Sequence, residues 1–321
     1  MRVFVYEYLS GGACARITAS DEALMLQGRA MRDALVYDLA TIGGVATTYA
    51  TIGPAASAPG ARAVRAKPGE CAPDFVRRQA RAHDFVWVVA PESDGILADL
   101  CNVIGDGQWI GCRPEAIAIA SSKRATALRL RCYGIPTTCE GVLPFGPAIG
   151  DVARWVVKPD DGAGAVETRV HSTYADACAD RTACAARGVV ATVEAWEEGD
   201  ALSLSVLCDA RSVDMLSVNR QHIEVGDDGR VRYLGVSVNV GVGDPVRHAL
   251  AQLAQRVVHA LPGLAGYVGI DIVLRGDGIP VVIEVNPRLT CSYVGLSASL
   301  GRNVAREVLS RFTTRALHAT V

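Results

Sequence analysis

The stretch Tyr267 to Asn286, YVGIDIVLRGDGIPVVIEVN, restricts the fold more than any other part of the chain. Two runs rich in Val and Ile flank Asp277-Gly278, a dipeptide that favours the tight turn of a β-hairpin. Strand side chains alternate between faces. With Asp277 and Gly278 as a two-residue loop, Gly276 pairs with Ile279, Ile272 with Ile283 and Ile270 with Val285, an apolar match on one face. The same register sets Asp271 opposite Glu284 on the other face, which Asn286 shares. Directly opposed carboxylates, with Cβ atoms roughly 5 Å apart, destabilise a hairpin. A cation between them removes the conflict, and hard Mg²⁺ accepts one or two carboxylates together with substrate phosphates. A longer loop keeps this pairing, whereas a β-bulge breaks it. A solvated acidic face is the competing explanation.

The rest of the chain gives the hairpin a large setting. Its 321 residues suffice for two or three α/β modules. Hydrophobic residues make up 50% and the formal net charge is −2, which gives no electrostatic reason to expect nucleic acid or an anionic membrane as the partner. No apolar run reaches a membrane span, and MRVFVYEYLSGG reads as a first strand rather than a signal peptide, so the cytoplasm is the expected location. The ten cysteines include no C-x-x-C pair and are expected to be reduced core residues, neither disulfides nor zinc ligands. Strand 2–8, a helix over 20–40, a strand in GGVATTYA, a loop in SAPGARAVRAKPG, a helix in PDFVRRQARAHD and the apolar strand FVWVVAPE predict a doubly wound α/β domain over 1–112. The capped helix SSKRATALRLRC, two strands around DDGAGA and a helix near 173–187 follow, giving a unit over 113–190. Alternating strands, a helix near 244–260 and the closing hairpin make up 191–321.

Of 32 basic residues only Lys67, Lys123 and Lys158 are lysine. In a chain that uses Arg for generic positive charge, a retained Lys points to a compact charge on a flexible stem. Lys67, in RAKPGE, is explained as a surface-loop residue. Lys123 opens the helix in SSKRAT, and Lys158 ends the apolar run WVVK just before Gly162 and Gly164. Glycines there free the backbone to close over phosphate, although a plain hairpin turn accounts for them equally well.

An Asp on one strand, E-x-N-x-R on the next and two isolated upstream lysines resemble the ATP-grasp superfamily of ATP-dependent carboxylate–amine ligases, over about residues 113–321. The resemblance implies an α/β and α+β chain, with two α+β subdomains clasping ATP behind an N-terminal doubly wound domain. It implies that Lys123 and Lys158 reach the nucleotide phosphates, and that Gly162 and Gly164 belong to the loop covering them. In the hinge VEAWEEGD it implies Glu194 and the Trp196 backbone at adenine, and Asp200 at the ribose, where such proteins more often carry Glu. Asp271, Glu284 and Asn286 match the ligands of Mg²⁺, with Mn²⁺ as the alternative. Arg288 matches the cation that steadies the transferred phosphoryl group, and Arg220 a further phosphate or substrate contact. Arg220 is equally well explained as a strand-end surface residue.

VFVYEYLSGG, NRQ at 219–221 and EVNPRLTCSYVGL at 284–296 are similar to the tyramine–glutamate ligases of methanofuran-type cofactor biosynthesis. That narrower resemblance implies glutamate and an aromatic amine or amino acid as substrates, and it leaves a homodimer open. It also implies that Glu7, Tyr8 and the Ser10-Gly11-Gly12 turn line the acceptor pocket, against the simpler reading as a first strand and its turn. Two alternatives stay open: another ATP-grasp amino-acid or pterin-cofactor glutamate ligase, and a non-catalytic ATP- or metal-binding module.

Overall fold

The computed structural model describes residues 1–13, 21–138, 152–162 and 164–318. Strands β1 (Arg2–Glu7), β2 (Ala46–Ala50), β3 (Arg62–Val64), β4 (Phe85–Val89) and β5 (Trp109–Ile110) form a parallel sheet in the order β3-β2-β1-β4-β5. Helices α1 (Tyr8–Gly11), α2 (Asp21–Ala40), α3 (Ala72–Ala80) and α4 (Ile96–Ile104) complete this doubly wound domain. β3 lies in the stretch expected to be a loop; it is a three-residue edge strand, too short to show a period. The SGG break after β1 is instead the one-turn helix α1, capped by Glu7, which accepts bonds from the backbone N–H groups of Leu9 and Ser10.

Helices α5 (Pro114–Ala120) and α6 (Lys123–Cys132) come next. Ser122 caps α6 by accepting a 3.0 Å bond from the Ala125 N–H. A small antiparallel sheet, β7-β6-β8, contains β6 (Trp155–Pro159), β7 (Arg169–His171) and β8 (Ala191–Ala195), backed by α7 (Tyr174–Ala186). The last sheet is antiparallel, in the order β11-β10-β9-β12-β13: β9 (Asp200–Cys208), β10 (Val213–Val225), β11 (Val231–Ser237), β12 (Gly266–Leu274) and β13 (Pro280–Asn286). Helices α8 (Asp244–Ala260), α9 (Leu296–Leu300) and α10 (Val304–His318) accompany it.

The hydrophobic cores show which units are welded together. Phe4, Phe75 and Leu100 of the first domain share one buried cluster with Ile117 and Leu130 of α5 and α6 and with Leu204, Ile270 and Val285 of the last sheet. A second cluster joins Leu35 and Leu39 of α2 to Leu296 and Val308. The β6–β8 layer has its own small cluster of Trp155, Val157, Ala177, Cys184 and Val193. Burial of apolar area is the main stabilising force, so the first and last units hold each other while the small layer is held by much less. Polar contacts reinforce the larger junction: Tyr293 Oη donates to Asp38 Oδ2 at 2.6 Å, and Ser297 Oγ to the same oxygen at 2.5 Å.

The hairpin departs from its expected register twice. Arg275 N–H bonds to Ile279 O, so Gly276, Asp277 and Gly278 form a three-residue loop, with Gly278 at φ 83°. The ladder then runs Leu274–Pro280, Val273–Val281 and Ile272–Val282 until a bulge leaves Ile283 extra. Ile272 therefore faces Val282, not Ile283. The two one-residue shifts cancel, and Asp271–Glu284 and Ile270–Val285 pair as expected.

The cysteines are less uniform than expected. Among the described residues Cys101, Cys112, Cys184 and Cys208 are buried, Cys71 and Cys132 are exposed, and all eight described are free thiols. Cys14 and Cys139 lie outside the described residues.

Candidate active site

The carboxylates meet on one face of the β12–β13 pair. Asn286 Nδ2 donates to Asp271 Oδ2 at 3.2 Å. Burial, then the neighbouring Glu284 charge, push the Asp271 carboxyl up to about 7, against weaker opposition from Gln221, Asn286 and Arg288. Cross-strand neighbours share a face, so Asp271, Ser203 and Asn219 line up across three strands beside Glu284. Among the described residues no group of three or more His, Cys, Asp or Glu side chains is placed to hold a metal. Two carboxylates and one amide oxygen nonetheless suit a hard cation that takes its remaining ligands from water and phosphate. The raised Asp271 supports that fit, because such a charge relieves the repulsion that raises it.

Two cations approach this face. Lys123 Nζ lies 3.7 Å from Glu284 Oε2 and donates a 2.7 Å bond to Gly162 O. The residue is placed by the α6 N-terminus: Lys123 N–H bonds to Asp160 O, and Arg124 N–H to Asp160 Oδ1 at 2.8 Å. The loop base and the helix start are therefore one unit. Arg288, just past β13, keeps 10% of its side chain exposed. Burial works against its charge, but Glu92 outweighs it and holds the guanidinium in its charged form. Arg288 Nη2 donates to Glu92 Oε2 at 2.8 Å, and Nη1 to Leu289 O at 3.1 Å.

Lys158 sits on the small sheet. Its Nζ lies 2.8 Å from Glu194 Oε2, and Thr192 Oγ1 donates to Glu194 Oε1 at 3.0 Å. β6 and β8 put the two side chains on one face, because Lys158 pairs with Thr192 and Glu194 lies two residues along. Burial acts to raise Glu194, but the Lys158 charge and bonds from Lys158, Thr138 and Thr192 outweigh it and lower its pKa. Glu194 is thus a partner of Lys158 before it meets any ligand. Trp196 N–H already donates to Arg154 O at 3.0 Å, which leaves its carbonyl as the backbone group free for a base. The Arg154 guanidinium stacks 5.4 Å from the Trp196 ring centroid.

Gly164 has φ 69°, a left-handed conformation that favours glycine, whereas a Cβ there would meet only the flexible tip of Leu24 of α2, at 2.7 Å. Gly162 has no such restriction, since its nearest neighbour would be Pro159 Cβ at 3.4 Å. Asp200 and Arg220 form a 2.8 Å ion pair, both about half exposed. Arg220 is level with Leu202, which is level with Ile272, on the face away from Asp271. Gln221, next along β10, is the residue that acts on the Asp271 carboxyl, lowering its pKa. Lys67 is exposed, as expected of a loop residue.

Two contributors escape sequence reasoning. Glu92 follows β4 in an ordinary APESDG turn, 196 residues from Arg288. Gln221 stands in the quoted NRQ, where strand alternation from Asn219 could have selected it over Arg220. At the amino end both Glu7 carboxylate oxygens accept α1 backbone N–H groups, and Tyr6 Oη donates to Gly12 O, so this turn is explained by its own hydrogen bonds.

Known proteins share this architecture. Residues 45–117 match the pre ATP-grasp 3 domain and residues 120–292 the ATP-grasp domain, the latter being more than half of the chain. The chain is 28% identical over 219 residues to tyramine–L-glutamate ligase of Methanocaldococcus jannaschii, covering 67% of this chain and 59% of that protein. It is 27% identical to the enzyme of that name from Methanocaldococcus fervens, over 66% of this chain and 61% of that one. The chain thus spans about three-fifths of the length of the curated relatives it matches. An ATP-grasp superfamily protein from Archaeoglobus fulgidus superposes with a TM-score of 0.72 at 23% identity, over 97% of this chain and 88% of that one. L-amino acid ligase from Bacillus licheniformis gives 0.64 at 18%, over 96% and 73%. The matched domains, the two sheets and the charged face between them agree: the chain belongs to the ATP-grasp family.

Proposed function

We propose that the protein is an ATP-dependent carbon–nitrogen ligase that joins the γ-carboxylate of glutamate to the primary amine of tyramine or tyrosine, releasing ADP and phosphate. The observation that carries the ligase part is the shared face of Asp271, Glu284, Asn286 and Lys123, with Arg288 beside it. The substrates, and the place in methanofuran-type cofactor synthesis, rest on similarity to proteins named tyramine–L-glutamate ligase.

A carboxylate must be activated before an amine can displace oxygen from it. In this proposal the ATP γ-phosphoryl passes to the glutamate carboxylate, and the amine then attacks the acylphosphate and expels phosphate. Phosphoryl transfer asks the protein mainly for alignment and charge neutralisation. Lys123 and Lys158 bind the phosphates, Lys123 exchanging its Gly162 carbonyl for a phosphate oxygen. Arg288 presents its planar guanidinium to the transferring group. Asp271, Glu284 and Asn286 would hold Mg²⁺, or Mn²⁺, which would supply positive charge to offset that of the phosphates. Glu194 and the Trp196 carbonyl border adenine, while Asp200, steadied by Arg220, borders the ribose. The loop of Gly162 and Gly164 covers the phosphates and keeps water from the acylphosphate. The working division is 1–112, 113–190 and 191–321, with the glycine loop in the middle part.

The test incubates the chain with Mg-ATP, glutamate and each amine separately, then looks for ADP and for a γ-glutamyl amide by mass spectrometry. Glutamate-dependent ADP with neither amide rejects the acceptors. ADP that forms only with other amino acids rejects the substrates and keeps the ligase. No ADP under any mixture rejects the ligase.

A further inference from the structure

Glu92 belongs to the first domain, yet it meets the reaction face assigned above. It lies just past the carboxyl end of β4, which neighbours β1 where the strand order reverses. That switch point is where doubly wound sheets open a ligand crevice. Its carboxylate binds Arg288 Nη2 at 2.8 Å, and the residue is only 4% exposed. Among the described residues neither Glu92 Oε1 nor Arg288 Nε, both buried atoms, has a hydrogen-bond partner.

As a device for stability this pair is poorly built. Two desolvated charges are not repaid when polar atoms stay unmatched, and an apolar pair of similar volume does as well or better. As a device for orientation it is well built. Glu92 holds one terminal nitrogen of Arg288 and the Leu289 carbonyl holds the other, at 3.1 Å. The guanidinium is thereby fixed in plane and direction while each terminal nitrogen keeps a further N–H for a ligand.

The turn that carries Glu92 is itself held from the other side of the cleft. Ser93 Oγ donates to Asp161 O at 2.8 Å, and Asp94 N–H donates to Asp161 Oδ2 at 3.0 Å. Asp161 adjoins Gly162, whose carbonyl receives Lys123. Asp94 adopts φ 54°, the left-handed region that Asp tolerates better than most non-glycine residues. Three consecutive residues thus touch the floor of the site and the base of its glycine loop.

We propose that Glu92 is a positioning residue for Arg288, through which the first domain sets the guanidinium that receives the transferring phosphoryl group. The proposal rests on the assignment of Arg288 made above. The test measures ADP release from Mg-ATP with a mixed pool of amino acids and amines, for the unaltered chain, Glu92→Gln, Glu92→Asp and Arg288→Gln, with a thermal unfolding curve for each. Glu92→Gln should lower kcat by roughly ten- to a hundredfold with the ATP KM within about twofold, as expected for misdirection of a group by a fraction of an ångström. Glu92→Asp keeps the charge one methylene short and should recover part of the loss. A purely structural pair predicts a lower melting temperature with unchanged kcat below it, and that result overturns the proposal. Should Glu92→Gln not fold, Glu92→Asp decides: reduced kcat at constant KM supports positioning, and unaltered kcat overturns it. Full activity of Arg288→Gln removes the role of Arg288 and this inference with it. No ADP release by the unaltered chain overturns the ligase assignment and the inference together, whereas equal release by the unaltered chain and Glu92→Gln overturns the inference alone.

Discussion

Two charged clusters line the nucleotide cleft proposed above, and they answer desolvation in opposite ways. On the small sheet Lys158 meets Glu194 at 2.8 Å, and the carboxylate is held below its usual range. On the last sheet Asp271 faces Glu284 across a hairpin, and its carboxyl is pushed up to about 7. The first cluster contains its own counter-charge. The second has two acids with Lys123 only within 3.7 Å of one of them. Like-charge pairing is costly in a sheet, and this second cluster is the one to which the proposal above assigns a cation.

The comparison breaks most directly at Glu284. Glu284→Gln removes one charge with little change of volume, and we expect ADP formation to fall roughly a thousandfold or more, with the circular dichroism of the native chain retained. Turnover with unaltered Mg²⁺ dependence would remove the cation from the site. The matched pair is broken by Lys158→Ala, which strands a buried carboxylate. Unfolding in urea should show a loss of about 3–5 kcal/mol, together with a sharply raised ATP KM, whereas the exposed Lys67→Ala should change neither. Equal behaviour of the two variants would end the argument from lysine scarcity.

Titration sharpens the contrast, because the two carboxylates carry opposite signs. Asp271 has a folded pKa raised from 3.8 to about 7, so between those values the native state holds more protons than the unfolded chain. Metal-free stability from this site is therefore largest at low pH and declines as pH rises from about 4 to about 7. Glu194 is lowered, so its contribution is present above the ordinary carboxylate range and is lost on acidification. Urea midpoints across that range, without metal, should flatten in Asp271→Asn. In Glu194→Gln they should lose the acid-side decline instead. Identical profiles for both variants would erase the distinction. The smallest effect belongs to the exposed Asp200–Arg220 pair: Asp200→Asn should change stability by less than about 1 kcal/mol, and ATP KM by only a few-fold if the ribose contact is real.

Much of this was legible because it is local. Asp277-Gly278 announces the hairpin, strand alternation puts Asp271, Glu284 and Asn286 on one face, and the scarcity of lysine singles out Lys123 and Lys158. The helices expected over 20–40, with its acidic first turn, and near 244–260 both appear, as Asp21–Ala40 and Asp244–Ala260. What escaped is tertiary. Nothing in APESDG tells that Glu92 reaches a residue 196 positions later. Alternation from Asn219 favours Gln221 over Arg220, but only the ladder shows that Asn219 shares the face of Asp271. The bulge at Ile283 leaves no mark in composition, since Val281, Val282, Ile283 and Val285 are all good strand formers.

That bulge and the turn at Gly276–Gly278 also have a consequence for inheritance. Loss of one codon from the turn would shorten the loop from three residues to two and leave Arg275 facing Ile279. Loss of the codon for Ile283 would remove the surplus residue and leave Glu284 facing Asp271. Length changes in descendants of this gene should therefore collect in the turn and at the bulge, each independently of the other.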